Sequence, residues 1–180
     1  DKSELWLSTD DNPANATMIA EVDGYTPFRS FSKYQSQVSE EINLVAGSRY
    51  YIEVRHKEAG GNDHISVGWR MPDQTEEVPI PGHRLIPFEG MPPVTACADD
   101  PDLGSIEREI WRNIPGTSIA SIPTSETPDN VVTLTIFETG QANAIGAVER
   151  DLRSWIYSAP LWRSNRQRGN VELERAVQHQ

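Results

Sequence analysis

Three side chains that could ligate a metal ion stand close together in the first half of the chain. His56 and Glu58 are separated by one residue, and His64 follows beyond a pair of glycines. Alternate residues share one face of a strand, and a few nitrogen and oxygen ligands are enough for a catalytic zinc ion. Because a glycine-rich turn separates these ligands and no predicted helix holds them rigidly, the pattern favours a structural role over zinc.

Oxygen ligands of the kind that calcium prefers occur at two further places. Asn62 and Asp63 directly precede His64, and Asp10 and Asp11 open the run DDNPAN. Asp, Asn and Pro are typical of turns, so turn capping is the favoured role of Asp10 and Asp11. Asn62 and Asp63 are the stronger candidates for ligand binding, although sequence alone does not make the two groups converge.

A predicted β-hairpin, residues 50–70, positions these candidates. Two runs of alternating apolar and polar residues, 50–56 and 64–69, flank EAGGND, whose glycines permit the positive backbone angles of a reversal. Asn62 and Asp63 would lie on its loop. One face of each strand is apolar, with Ile52 and Val54 in the first strand and Ile65, Val67 and Trp69 in the second.

A hairpin is not stable alone, so further strands must cover its apolar face. Residues 1–11, 18–22 and 41–46 predict short strands before it. After it, residues 78–88, VPIPGHRLIPF, contain prolines that allow only an edge strand or an extended closing segment. Residues 131–137, VVTLTIF, predict a strand rich in β-branched residues.

Two other segments leave alternatives open. Ile106, Ile110 and Ile114 fit the spacing of a helix and that of a strand alike. Residues 25–34, YTPFRSFSKY, predict a surface loop with aromatic anchors, and the sharper alternative is a platform on which sugars stack.

Composition narrows the class of protein. The chain has 180 residues, enough for one ordinary domain, and its net charge of −11 argues against a nucleic-acid partner. Its single cysteine, Cys97, excludes an internal disulfide. No apolar run approaches the roughly 20 residues of a membrane span, and no catalytic fingerprint occurs, so membrane insertion and catalysis are not expected. The start, DKSELW, lacks a methionine and is expected to continue a longer chain.

The chain changes character twice after residue 90. Residues 91–102, MPPVTACADDPD, are typical of a linker. Residues 147–180 contain six arginines and no lysine, and Val148, Leu152 and Ile156 could line a helix. Two interpretations compete for this segment: a genuine helical tail, or translation out of frame, which we favour.

SELWLSTDDNPAN, YYIEVRHKEAGGNDHISVGW and VPIPGHRLIPF together resemble the C-terminal part of an anthrax protective antigen lectin-like domain, a family that includes fungal flocculin-type adhesins. GSIEREIWRNIPGTSIASIPTS and VVTLTIFETG resemble the start of a second copy. The resemblance implies an all-β, antiparallel β-sandwich that is incomplete and carries a helical or disordered tail. It divides the chain into residues 1–90, a linker at 91–102, a second partial copy at 103–146 and an atypical tail at 147–180.

The resemblance also implies a function. In the flocculin branch two adjacent aspartates and a loop asparagine hold calcium, which in turn holds sugar hydroxyls. Asp1 matches the second aspartate, and Asn62 is the candidate asparagine. These two residues form the predicted metal site, which lacks one aspartate. Asn62 and Asp63 form the predicted ligand site. The chain is expected to be a carbohydrate-binding or adhesion module that catalyses no reaction itself. It is expected to belong to a larger secreted or cell-surface protein with neighbouring domains. The alternatives are a structural spacer without ligand and a non-catalytic fragment of a secreted glycosidase or peptidase.

Overall fold

Antiparallel strands account for most of the regular structure. The computed structural model describes residues 2–57, 61–87, 104–144 and 148–157, of which residues 61–63, 87, 140–144 and 148–157 are described by their backbone. Within these ranges the helical segments are three-residue 3-10 turns at Pro13–Asn15, Gln35–Gln37, Gly82–Arg84 and Ile119–Ser121. The strands are β1 (Lys2–Leu7), β2 (Thr17–Asp23), β3 (Arg49–Lys57), β4 (Gly61–Ser66), β5 (Trp69–Arg70), β6 (Glu76–Glu77), β7 (Leu85–Pro87), β8 (Ile106–Arg112), β9 (Asn130–Leu134), β10 (Glu138–Ala144) and β11 (Val148–Tyr157).

The larger sheet has the strand order β2-β1-β3-β11-β8-β9, and β7 pairs with the end of β11. Its register aligns apolar residues across neighbouring strands. Leu5 of β1 lies opposite Ala20 of β2 on one side and Val54 of β3 on the other. Because alternate residues of a strand point to the same face, this row gives the sheet one apolar side, and all three side chains are buried.

A second layer covers that apolar side. It contains the pairs β4–β10 and β5–β6, joined through the backbone of Phe137. The Phe137 N–H donates to the carbonyl of Ile80 at 2.9 Å, and its carbonyl accepts from the N–H of Val67 at 3.0 Å. The core between the layers consists of Leu5, Leu7, Ala20, Val22, Leu44, Tyr50, Ile52, Val54, Ile65, Val67, Trp69, Ile80, Leu85, Ile106 and Phe137. The all-β, antiparallel sandwich architecture is therefore confirmed.

The two strands of the predicted hairpin pair with other strands, so the predicted pairing is wrong. The residues predicted to face the core do face it. The described ladders pair β3 with β1 and β11, whereas β4 pairs with β10. The chain thus passes from one layer to the other between Lys57 and Gly61 instead of reversing within one sheet. Val54 and Ile65 both face the core because they approach it from opposite layers.

The second half of the chain completes the sheet that the first half begins. β11 lies between β3 and β8, and Ile106 and Phe137 are fully buried in the shared core. Residues 106–137 therefore pack on the first half of the chain. β11 is a strand, so a helix over residues 148–157 is wrong; residues 158–180 and the linker at 91–102 lie outside the described residues.

Strand pairing explains why β11 forms where helical spacing was also present. β11 forms backbone ladders with β3 on one side and with β8 on the other, so its N–H and C=O groups are paired along both edges. The register places Glu149 opposite Lys57, Asp151 opposite Arg55 and Arg153 opposite Glu53. The out-of-frame origin of the tail and the division into two copies stay predictions.

Two smaller expectations had different outcomes. Residues 41–46 form no strand, although Leu44 is buried in the core as expected. Ile106 and Ile110 lie on a strand, which settles the choice between helix and strand.

Trp111, on the opposite face of that strand, forms a second small apolar cluster with Ile119 and Ile122.

Candidate functional site

A surface loop lies against the outer face of β4. We call residues 25–34 the aromatic loop. Ile65 faces the core, so alternation places its neighbour His64 on the opposite face, yet His64 is also fully buried. The Phe28 ring contacts the His64 ring edge to face, with centroids 4.9 Å apart and an interplanar angle of 72°. The aromatic loop therefore forms an extra layer over this part of the smaller sheet.

Buried side chains anchor the aromatic loop. Phe31 is 6% exposed and Thr26 is completely buried. The buried Gln37 side chain holds the loop backbone at two points: its Oε1 accepts from the N–H of Tyr34 at 2.8 Å, and its Nε2 donates to the carbonyl of Ser30 at 2.9 Å. These bonds satisfy backbone groups that have no strand partner, so the loop has a defined conformation without regular secondary structure.

An ion pair ties the aromatic loop to the second half of the chain. The Arg29 guanidinium donates through Nε and Nη2 to the two carboxylate oxygens of Glu138 in β10, at 2.6 and 2.7 Å. This hydrogen bonding raises the pKa of Arg29 above its usual range, against the opposing effect of burial. Paired N–H groups on a carboxylate fix orientation as well as distance, so Arg29 sets where the loop sits on the sheet.

The exposed end of the aromatic loop is a lysine between two tyrosines. The Lys33 ammonium lies 4.6 Å from the ring centroid of Tyr25 and 5.1 Å from that of Tyr34. Both Lys33 Nζ and Tyr34 Oη donate to the backbone carbonyl of Tyr25. Gly24 enters this turn at a φ of +133°, and a Cβ there would lie 3.1 Å from Tyr34 Oη, so the position requires glycine.

This arrangement presents aromatic surface to solvent from an anchored support. Tyr25 is 50% exposed and Phe28 is 40% exposed. Aromatic faces combined with a few fixed polar groups are the features of a small-molecule site, and sugars bind through their apolar C–H faces together with their hydroxyls. The aromatic loop is thus the strongest candidate site among the described residues.

The residues predicted to bind metal and ligand are placed differently. Asp1 lies outside the described residues. Asn62 and Asp63 belong to β4, where their backbones pair with Asn143 and Ala142, so their assignment to a loop is wrong. They occupy the two positions before His64, whose ring Phe28 contacts. β4 therefore places their backbones close to the aromatic loop.

The zinc alternative gains no support. His56 belongs to β3 of the larger sheet and His64 to β4 of the smaller one, and Glu58 lies outside the described residues. The buried His56 ring has its Nδ1 2.8 Å from Ser3 Oγ, a structural hydrogen bond between neighbouring strands. Across the described part of the chain, no three His, Cys, Asp or Glu side chains gather closely enough to hold a metal ion.

Asp10 has the turn-capping role that was favoured for it, whereas Asp11 forms an ion pair. The Asp10 carboxylate accepts from the backbone N–H of Asn12 at 2.9 Å and from the Asn15 side chain at 2.7 Å. Asp11 pairs with Arg49 of β3 at 2.9 Å. Their oxygens are engaged in holding the turn after β1.

Comparison with known proteins identifies a family model that matches part of the chain. Residues 4–82 match the family model described as the PA14 domain. This segment, 79 of the 180 residues, is similar to the PA14 domain family. The predicted resemblance to the protective antigen lectin-like domain is therefore confirmed. The matched residues include the whole aromatic loop, most of β1 and all of β2 to β6, whereas β7 to β11 lie beyond them.

A named relative is similar to part of the chain. It is N-acetyl-beta-glucosaminyl-glycoprotein 4-beta-N-acetylgalactosaminyltransferase 1 of Mus musculus, 45% identical over 75 residues. The match covers 39% of this chain and 7% of the relative, so the chain corresponds to a small part of that protein. No solved structure matches the chain significantly. The described residues include no helix of the length and apolar character needed to cross a membrane.

Lys33, Arg29 and Gln37 were not singled out from the sequence. One signal was available: residues 24–39 contain Arg29 and Lys33 but no acidic residue, in a chain with 27 acidic residues among 180. The partnership of Arg29 with Glu138 had no local signal, because the two residues are 109 positions apart.

Proposed function

We propose that this chain is a carbohydrate-binding module and that the sugar binds on the aromatic loop. The observation that carries the proposal is the half-exposed ring of Tyr25 beside the exposed Phe28, held on a PA14 sandwich by buried anchors. An isolated exposed aromatic side chain needs no explanation, but several on one anchored loop supply the stacking surface that a sugar ring uses.

The family supports the ligand class. PA14 domains often mediate carbohydrate binding and occur in secreted or surface proteins. We therefore place the chain within a larger secreted or cell-surface protein, where it would bind glycans without catalysing a reaction. A purely structural spacer would need neither the exposed rings nor the bonds by which Gln37 and Arg29 hold the loop.

The mouse relative favours a more specific setting. Its name describes an enzyme that transfers a sugar onto glycoproteins, and only 7% of its length is covered. A module of this size could hold a glycoprotein acceptor while catalysis takes place in another domain. The proposed role of the chain is then accessory: it raises the local concentration of glycan near the catalytic domain.

We also propose that the chain binds calcium, with Asp1 and Asn62 as the candidate ligands. These residues supply one aspartate of the expected pair, so we expect this chain to bind calcium weakly, in the ~10⁻⁴ to 10⁻³ M range of extracellular modules. Calorimetric titration of chelator-treated protein with calcium tests this. Asp1→Ala should weaken the binding, and sugar binding that persists in chelator would restrict the ligand to the aromatic loop.

A glycan array tests the main proposal. The unchanged chain is expected to bind a defined subset of oligosaccharides, and the double variant Tyr25→Ala, Phe28→Ala should lose that signal. Val45→Ala is the matched control, because Val45 is 66% exposed and lies outside the aromatic loop. The absence of binding to any arrayed glycan by the folded chain contradicts the proposal and favours the spacer.

A further inference from the structure

Among the described residues, the Lys33 ammonium is held by contacts other than an ion pair. Several other basic side chains form ion pairs: Lys2 pairs with Asp23 at 3.0 Å and Arg29 with Glu138 at 2.6 Å. Lys33 instead contacts the faces of Tyr25 and Tyr34 and one backbone carbonyl, and forms no ion pair within the described part of the chain.

Two aromatic faces restrict the position of this charge without neutralising it. A cation over a ring is attracted by the negative face of the ring, so both tyrosines hold the ammonium in place. An ammonium has three N–H donors, and the carbonyl of Tyr25 accepts from it. Lys33 is exposed, so remaining donors can reach a ligand that lies on the Tyr25 ring.

The local charge also differs from that of the whole chain. The net charge is −11, but residues 24–39 carry no acidic side chain, and the nearest preceding one, Asp23, pairs with Lys2. At physiological salt, charges more than about 8 Å apart are largely screened. The charged side chains within residues 24–39 are thus Arg29 and Lys33, and of these Lys33 is the one that forms no ion pair among the described residues.

We propose that the aromatic loop selects acidic glycans, with Lys33 binding a sugar carboxylate or sulfate while Tyr25 stacks on the sugar ring. This inference rests on the proposed function and names the ligand class of the same site. A positive charge preset beside an aromatic face suits a ligand that has an anionic group attached to an apolar ring face. Carboxylate and sulfate share this chemistry, and separate probes distinguish them.

The test is titration calorimetry of the full chain with four probes. Sialyllactose supplies the carboxylate and lactose is its neutral counterpart; a chondroitin sulfate tetrasaccharide supplies sulfate and its desulfated form is the counterpart. At least one acidic probe should bind about threefold to tenfold more tightly than its counterpart, with the preference decreasing as salt is raised. Lys33→Gln should abolish the preference and Lys33→Arg should retain it. Arg49→Gln, which removes the cation paired with Asp11 on another part of the fold, should leave it unchanged.

The outcomes separate the two proposals. Equal binding of acidic and neutral probes, or a preference that survives Lys33→Gln, overturns the acidic selectivity while the carbohydrate function stands. No binding of any probe by the chain, in agreement with a negative glycan array, overturns both. A folded state for each variant is checked by its unfolding midpoint, which should be unchanged because Lys33 is exposed.

Discussion

Arg29 and Glu138 join the aromatic loop to a strand contributed by the other half of the chain. Nε and Nη2 of Arg29 donate to the two carboxylate oxygens of Glu138 at 2.6 and 2.7 Å. The Glu138 side chain is 7% exposed, whereas that of Arg29 is 44% exposed. The candidate site therefore depends on residues from beyond the PA14 match, because the partner that orients its loop lies in β10.

Removing the charge of Glu138 should loosen the aromatic loop. Glu138→Gln leaves one acceptor for Arg29 and loses the other charged hydrogen bond, so the free energy of unfolding should fall by about 1 to 2 kcal/mol. Sugar binding should weaken as the loop loses its orientation. The control is Glu76→Gln, which breaks the more exposed pair with Arg70 and should cost about 0 to 1 kcal/mol. Equal effects of the two variants in urea unfolding contradict an anchoring role.

Phe137 tests whether the second half belongs to the same core. Its side chain is completely buried, so Phe137→Ala should lower the free energy of unfolding by about 3 to 5 kcal/mol. The adjacent Ile136 is 39% exposed, and Ile136→Ala should cost much less. Chemical denaturation monitored by tryptophan fluorescence measures both. Similar small losses for the two variants would show that residues 104–144 do not pack on the first half.

Trp69 tests the predicted inward face of β5. It is 2% exposed, and its indole N–H donates to the Glu77 carboxylate at 2.6 Å. Trp69→Ala should cost about 3 to 5 kcal/mol, whereas Trp69→Phe keeps a ring and should lose about 1 to 2 kcal/mol with the hydrogen bond. Val45→Ala, at an exposed position, serves as the neutral control. An unchanged denaturant midpoint in Trp69→Ala would falsify the inward assignment.

Cleavage of the connection tests the continuous sheet. A protease site introduced within residues 91–102 should be cut without separating the two pieces, because β11 pairs with β3 from Glu149 to Tyr157. The pieces should co-elute in size-exclusion chromatography and separate only in denaturant. A folded piece of residues 1–87 that elutes alone would contradict the sheet order.

Sequence alone was sufficient for the faces of the strands. Leu5 and Leu7 alternate with Trp6, and Ile65, Val67 and Trp69 alternate with polar neighbours, so period two identified the buried sides correctly. Which side of a strand faces the core depends on the local pattern, whereas the burial of the opposite side at His64 depends on the loop that covers it.

Pairing between strands could not be predicted in the same way. β3 and β4 are neighbours in sequence, but β3 pairs with β11, which lies about 100 residues further along the chain. The spacing of Val148, Leu152 and Ile156 also fits a helix, and only the presence of β3 beside it makes a strand the better solution. The candidate site was hidden for the same reason, since Arg29 finds Glu138 across the fold.

Nuclear magnetic resonance titration of the ¹⁵N-labelled chain with an oligosaccharide that binds it on the array tests the central claim most directly. If the aromatic loop is the site, the largest chemical-shift changes should occur at residues 25–34 and at His64, which Phe28 covers. Changes should be absent at the turn of Asp10 and at Arg49, which lie on other parts of the fold. Shift changes concentrated away from residues 25–34, with that loop unaffected at saturation, would contradict the account.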